Sequence, residues 1–168
     1  GGRYLPETNS YAQQTIAHNT ITVDEKSDYN GSEKTSELYH PQRLFGSVSS
    51  ERIQVVSAED TNAYKGVRLF RTMYMIKLPD ATKPLIVDIF KTASDSVHQY
   101  DLPFNYLGSV IQTSFKYETH SGSMSTLGTQ NGYQHIWKEA SALRVNPFVQ
   151  FTFLNQKSFY SISSLSKD

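Results

Sequence analysis

Alternation of apolar and polar residues is the strongest pattern along the chain. Ile21 and Val23 alternate with polar neighbours, and residues 147–154 repeat the same arrangement. A period of two is typical of a strand that buries one face. The chain contains further segments of strand-like composition, at 52–58, 66–78, 84–90, 96–103, 108–118, 132–140 and 158–163. No segment shows the sustained period of about 3.6 residues that an amphipathic helix requires.

Turn-forming residues separate these segments. Asn30 and Gly31 form an Asn-Gly pair, residues 78–84 contain two prolines, and residues 154–158 are polar enough to close a hairpin. Short strands joined by such turns are typical of sandwiches and barrels. The pattern therefore predicts an all-β fold, an antiparallel β-sandwich of about 10–12 strands, as a single domain over residues 1–168.

Charge and cysteine content exclude several classes of function. Lys and Arg number 16, as do Asp and Glu, so the formal net charge is zero. Nucleic-acid binding depends largely on a basic surface, so we expect no nucleic-acid partner. The chain has no cysteine, which excludes disulfides and thiolate chemistry. It also lacks the run of about 18 apolar residues that would predict a membrane span.

Five side chains are candidates for binding or chemistry. They are His18 and Asn19 at the start of a predicted strand, Tyr64 near a turn, His98, and Trp137 on the same predicted strand face as His135. Each also has a structural interpretation, because tyrosine and tryptophan commonly cover a core and a histidine can bond a neighbouring strand. The local pattern leaves both interpretations open.

Asp88 is unusual because it lies inside an apolar strand, with Ile86 and Phe90 on its own side. An isolated buried charge is costly, so we expect this carboxylate to have a partner. The partner could be an arginine, a histidine or a metal ion.

Five segments occur in an order that resembles a known family. Together they resemble the C-terminal β-sandwich domain of the heparinase II/III-like polysaccharide lyases, most closely the oligoalginate lyase branch. The resemblance covers about residues 11–154. The segments are AHNTITVDEKSDYNG, SAEDTNAYKGVRLFRTMYMIK, PLIVDIF, HQYDLPF and LGTQNGYQHIW.

The resemblance implies that residues 1–168 are the C-terminal part of a longer lyase with an N-terminal α/α toroid. It implies an acidic polysaccharide or oligosaccharide substrate, cleaved by β-elimination, and a periplasmic or secreted location. Because the toroid would complete the active site, we expect this chain to be inactive alone.

The resemblance also assigns roles to individual residues. His18 matches the active-site histidine of the sandwich, and Tyr64 matches its catalytic tyrosine, as acid or as base and acid in turn. Asn19 is predicted to bind substrate through hydrogen bonds. Trp137 is predicted to bind substrate by stacking, on the basis of its residue type and not of the resemblance. A tyrosine has an unperturbed pKa of about 10, so its neighbours must assist it as a base.

Several members of the family bind zinc in the sandwich. By resemblance, His98 is a ligand, and Asp60 or Asp88 supplies a carboxylate. No third ligand is evident, although structural zinc sites have about four ligands.

Two alternatives remain open at this point. The substrate could instead be heparan sulfate or another glycosaminoglycan. The domain could also be a non-catalytic carbohydrate-binding or structural sandwich, in which Trp137 and Tyr133 stack on sugars.

Overall fold

The computed structural model describes residues 5–143 and 146–165 and divides into two compact units. One unit comprises the described residues up to Thr20 and from Leu102 onward, and the other is Ile21–Asp101. The strands are β1 (Thr22–Val23), β2 (Gln42–Ser47), β3 (Ile53–Tyr64), β4 (Val67–Ile76), β5 (Leu85–Ser94), β6 (Tyr100–Asp101), β7 (Ser109–Thr113), β8 (Glu118–Thr119), β9 (Ala140–Ser141), β10 (Phe148–Asn155) and β11 (Ser158–Leu165).

Helical segments in the described part of the chain are short. They are a π-helix at Thr8–Ala12, 3₁₀ turns at Thr15–Ala17, Asp28–Gly31 and Tyr133–His135, and the helix α1 at Glu33–Ser36. No helix in residues 5–143 or 146–165 is long and apolar enough to cross a membrane.

The unit Ile21–Asp101 contains a four-stranded antiparallel sheet in the order β2-β3-β4-β5, and β1 pairs with β6. A two-residue turn joins β3 to β4, and its Gly66 has a φ of 76°, which glycine adopts without strain. Strands β4 and β5 pair without a register shift from Val67 to Ile76. Residues 66–78 therefore contain a strand, β4, as the sequence predicts.

A small apolar cluster forms the core of this unit. Ile21, Val23 and Val67 are buried, and Val67 is only 2% exposed. Burial of an aliphatic side chain of this size contributes about 1.5–3 kcal/mol to stability. Tyr64 and Phe90 are half-buried side chains that pack against the cluster. The core thus contacts Tyr64 directly.

The other unit contains a three-stranded antiparallel sheet in the order β11-β10-β7. Its aromatic side chains pack on one another: the ring of Phe153 lies 4.5 Å from that of Tyr106 and 4.9 Å from that of Tyr160, measured between centroids. Offset or tilted rings at such distances attract beyond their buried area. Phe153 is only 2% exposed. The eleven strands and antiparallel pairing of the described residues confirm the predicted all-β class.

The strand predicted at residues 132–140 is wrong. Gly132 has a φ of 90°, and a 3₁₀ turn follows at Tyr133–His135. Tyr133 is buried at 4% exposure, and the Nε2 atom of His135 lies 2.9 Å from the Oγ atom of Ser10. This contact joins residues 125 positions apart and stabilises a turn, whereas the local pattern indicates an extended conformation. His135 and Trp137 therefore do not share a strand face.

Two other segments differ from the expectation. Strand β2 was not predicted, because its apolar residues Leu44 and Phe45 are adjacent and do not alternate with polar residues. All six residues of β2 are exposed, so no buried face imposes a period of two. Residues 96–103 were predicted as a strand, but only Tyr100 and Asp101 pair with another strand.

Candidate functional site

Tyr64 is the last residue of β3 and follows an irregularity in the strand. Asp60 pairs with Leu69, whereas the next pair joins Tyr64 to Val67. Residues 61–63 therefore lie opposite a single residue of β4. Such a bulge redirects the side chains that follow it. It places Tyr64 opposite Val67, next to the apolar cluster.

The carboxylate of Asp60 holds this bulge in place. Its Oδ1 atom accepts hydrogen bonds from the backbone N–H groups of Asn62 at 2.8 Å and Ala63 at 3.0 Å. Its Oδ2 atom accepts one from the hydroxyl of Tyr29 at 3.1 Å. Burial, and then the hydrogen bond to Asp60, raise the pKa of Tyr29 to about 12. Tyr29 therefore remains a neutral donor at physiological pH.

The hydroxyl of Tyr64 donates to backbone carbonyl groups. It lies 3.1 Å from the oxygen of Lys26 and 3.4 Å from that of Ile21. A carbonyl oxygen can only accept, and a phenolate has no proton to donate. The Tyr64 hydroxyl is therefore the donor in these two contacts.

Lys26 belongs to a strained two-residue turn that begins after Val23. Asp24 and Glu25 have φ values of 53° and 55°, and the N–H of Lys26 donates to the carbonyl of Val23 at 3.0 Å. Two positive φ angles define a type I′ turn, a conformation that favours Asn-Gly over Asp-Glu. Interactions outside the turn are needed to maintain this conformation.

Those interactions come from residues 98–99. The carboxylate of Asp24 accepts hydrogen bonds from the Nδ1 atom of His98 at 2.8 Å and the backbone N–H of Gln99 at 3.0 Å. The N–H of Asp24 in turn donates to the carbonyl of Gln99 at 2.9 Å. The hydrogen bond from His98, and then that from Gln99, lower the pKa of Asp24. The ionised carboxylate thus secures the turn that bonds the Tyr64 hydroxyl.

His18 is an exposed residue that directly follows the 3₁₀ turn Thr15–Ala17. Its Nε2 atom lies 3.0 Å from the carbonyl oxygen of Ala12. Since a carbonyl only accepts, Nε2 must carry a proton. Nδ1 is then the ring nitrogen that can bind a substrate, as acceptor in neutral histidine or as donor in the imidazolium form.

Asn19 makes a reciprocal pair of hydrogen bonds with one backbone position. Its Oδ1 atom accepts from the N–H of Asn105 at 2.7 Å, and its Nδ2 atom donates to the carbonyl of Asn105 at 3.4 Å. In this structure the Asn19 amide therefore fixes the segment after β6.

Trp137 is 56% exposed, and its backbone forms an isolated bridge with Thr126. Its indole is accessible to a ligand.

The three predicted zinc ligands do not fit a common metal. The carboxylate of Asp88 accepts two hydrogen bonds from Arg71, at 3.0 and 2.7 Å, and His98 is bonded to Asp24. Asp60 binds Tyr29 and the bulge of β3 as described above. Within residues 5–143 and 146–165, no three His, Asp or Glu side chains form a group that could hold a metal ion. Asp88 has the arginine partner that was one of the sequence-based options.

The predicted residues are divided between the two units. His18, Asn19 and Trp137 belong to one, and Tyr64 belongs to the unit Ile21–Asp101. Sequence reasoning missed Tyr29, which bonds the carboxylate of Asp60 from 31 positions away. The only local signal was the Asn-Gly pair that follows Tyr29 and indicates a turn.

Known proteins are similar to almost the whole chain. An exo-oligoalginate lyase of Saccharophagus degradans is 38% identical over 161 residues, which are 96% of this chain and 22% of that protein. An alginate lyase of Stenotrophomonas maltophilia is 39% identical over 140 residues, which are 83% of this chain and 19% of that protein. The chain thus spans about a fifth of the length of these relatives.

The sequence model of one family also matches this chain. Its description is heparinase II/III-like, C-terminal, and the match extends over residues 1–154. This family was the one expected from the ordered segments around His18, Tyr64 and His98. Because the match covers most of the sequence, the chain belongs to the heparinase II/III-like, C-terminal family.

Proposed function

We propose that this chain is the C-terminal sandwich domain of a polysaccharide lyase that cleaves alginate or oligoalginate by β-elimination. The names of the two relatives support the substrate class, and the family supports the place of the domain in a longer enzyme. The observation that carries the proposal is the hydroxyl of Tyr64, held as a proton donor 3.1 Å from a backbone carbonyl. Elimination requires such a donor for its leaving group.

The reaction removes the proton at C5 of a uronate, next to the carboxylate. The electron pair of the C5–H bond forms the C4–C5 double bond, and the bond from C4 to the glycosidic oxygen breaks. That oxygen leaves with the electron pair and takes up a proton. Charge develops on the substrate carboxylate, so hydrogen-bond donors placed there lower the barrier.

Tyr64 is proposed as the general acid. Its O–H group now donates to the carbonyls of Lys26 and Ile21, which are weak competitors for this hydrogen bond. A substrate whose glycosidic oxygen replaces them would receive the proton as the bond breaks. An adjacent base could subsequently restore the proton.

His18 is proposed to neutralise the substrate carboxylate. As an imidazolium, it would donate from Nε2 to Ala12, as it does now, and from Nδ1 to the carboxylate. The bond to Ala12 fixes the ring, which reduces the entropy lost on binding. The remainder of the enzyme would supply the base and the other substrate contacts.

Two variants of the full-length enzyme test these assignments. Tyr64→Phe and His18→Ala are expected to reduce kcat by about 100-fold or more, because each removes a group that acts on the reacting atoms. The measurement is the ultraviolet absorbance of unsaturated uronate, with circular dichroism to verify folding. Wild-type turnover by both variants would refute the assigned roles.

A comparison of substrates tests which polysaccharide the full-length enzyme cleaves. Turnover of alginate, oligoalginate and heparan sulfate by the same full-length enzyme would separate alginate lyase from the alternative, a glycosaminoglycan lyase. We also propose a periplasmic or secreted location, which cell fractionation would test.

Exposure of Trp137 favours a second candidate, carbohydrate binding by the domain itself. An indole that is 56% exposed offers a stacking surface for a sugar ring. This function would give measurable binding of polyuronate by the isolated domain, lost in Trp137→Ala. The lyase function predicts weak binding by the isolated domain.

A further inference from the structure

We propose that Asp60 and Tyr29 are positioning residues for Tyr64, acting through the bulge of β3. This inference rests on the proposed function, because it assigns a catalytic role to Tyr64. It gives Asp60 a role other than that of a metal ligand, and it gives Tyr29 a role that the sequence did not suggest.

The side chain of Asp60 holds the backbone before Tyr64. The carboxylate of Asp60 caps the N–H groups of Asn62 and Ala63, at 2.8 and 3.0 Å. These groups lie where the ladder with β4 is interrupted, between the pairs of Asp60 and Tyr64. Ala63 is only 7% exposed, so its N–H group would be costly to leave without a partner.

The carboxylate of Asp60 is itself held by Tyr29. Tyr29 donates to its Oδ2 atom at 3.1 Å, which leaves Oδ1 directed at the bulge. Tyr29 is in turn supported by Tyr39, whose ring is stacked on it with centroids 5.9 Å apart and planes inclined by 6°. A chain of contacts therefore extends from Tyr39 through Tyr29 and Asp60 to the backbone of Ala63, the residue before Tyr64.

Tyr64 is held at both ends. The bulge sets its Cα position, and the turn at Lys26 receives its hydroxyl at 3.1 Å. A displacement of about 1 Å in a reacting group can reduce turnover by about 100-fold. Neither Asp60 nor Tyr29 belongs to the apolar cluster that forms the core of the unit. The apolar cluster is therefore unchanged when either side chain is lost, and we expect such a variant to fold with Tyr64 less well placed.

The experiment measures kcat and KM of the full-length enzyme on oligoalginate. Asp60→Ala removes all three hydrogen bonds, and kcat is expected to fall about 10- to 100-fold with little change in KM. Tyr29→Phe removes one hydrogen bond, and kcat should fall about fivefold. Asp60→Asn keeps an oxygen that can cap the two N–H groups, so it should recover most of the loss.

A double variant separates positioning from general destabilisation. If Asp60 acts through Tyr64, then Asp60→Ala combined with Tyr64→Phe should be no slower than Tyr64→Phe alone. Ser57→Ala is the matched control, because Ser57 lies on the same strand and its Oγ atom bonds Thr72 at 2.8 Å. This control should keep the kcat of the parent enzyme.

The outcomes distinguish the possible failures. If Tyr64→Phe is inactive while Asp60→Ala and Tyr29→Phe turn over normally, the positioning role is refuted and the proposed function survives. Multiplicative losses in the double variant also refute positioning through Tyr64. If Tyr64→Phe is fully active, the assigned role of Tyr64 fails, and the positioning role fails with it. If Asp60→Ala does not fold, Tyr29→Phe decides: a lower kcat supports the inference, and an unchanged kcat overturns it.

Discussion

At the scale of single residues, Gly132 has both an unusual backbone conformation and no room for a side chain. Its φ is 90°, and a Cβ atom there would lie 2.5 Å from Cγ2 of Ile16 and 3.0 Å from Cβ of Gln14. Ile16 is itself buried at 4% exposure, so it cannot move away freely. The residue before the 3₁₀ turn at Tyr133–His135 is thus restricted to glycine.

We predict that Gly132→Ala lowers the free energy of unfolding by about 2–4 kcal/mol, because backbone strain and overpacking add. Gly66→Ala introduces the strain of a positive φ without a close contact, so it should lower the free energy of unfolding by about 1–2 kcal/mol. Gly122 has neither feature, so Gly122→Ala is the control and should be nearly neutral. Urea unfolding measures all three, and equal effects would contradict this ranking.

Tyr29 provides a second prediction for a single residue. Its pKa is raised from 10.0 to about 12, so the neutral hydroxyl contributes stability below pH 10 that is lost as the pH rises through about 12. Ultraviolet difference titration of the isolated domain should show a late-titrating tyrosine that is absent in Tyr29→Phe. Tyr117→Phe is the control, because Tyr117 is 54% exposed. Loss of the late step in Tyr117→Phe instead would contradict the assignment to Tyr29.

At the scale of an element, the turn from Val23 to Lys26 depends on a charge. Asp24 and Glu25 both adopt left-handed backbone angles, which aspartate tolerates better than glutamate does. The carboxylate of Asp24 offsets this strain through its hydrogen bonds to His98 and Gln99. The turn is therefore a local structure maintained by a distant segment.

The pKa of Asp24 determines the direction of its pH dependence. The folded pKa lies below 3.8, so the unfolded chain binds the proton first, and the stabilisation present above that value is lost as the pH falls. Asp24→Asn should therefore unfold with a weaker dependence on pH in this acidic range. Asp80→Asn, in the loop between β4 and β5, is the control. A wild-type pH dependence in Asp24→Asn would show that this carboxylate does not secure the turn.

At the scale of the whole molecule, the chain spans only about a fifth of the length of its relatives. β-Elimination needs a base, an acid and carboxylate neutralisation together, and the proposal assigns only the last two to this chain. We therefore expect the isolated domain to release no measurable unsaturated uronate, whereas the full-length enzyme does. Release by the isolated domain at the rate of the full-length enzyme would contradict this division of the active site.

The local sequence pattern was sufficient to predict the main strands and to identify the candidate residues. Alternating apolar residues predicted β10, since burial of one strand face requires a period of two, and strand-like composition predicted β4. The family followed from ordered motifs around His18 and Tyr64, and the family comparison confirms it. The roles of these two residues stay predictions until the variants are measured.

What the sequence alone determined is the all-β class, the family and the identity of the candidate residues. Only the tertiary structure decided what Asp60, Asn19 and Asp24 bond to. Their partners are distant in sequence, 31 positions for Tyr29 and Asp60, 86 for Asn19 and Asn105, and 74 for Asp24 and His98. The apolar periodicity of one segment predicts whether that segment is a strand or a helix. These hydrogen bonds depend instead on which distant segments the fold brings together. For the same reason, the carboxylates predicted as metal ligands proved to bond Tyr29 and Arg71.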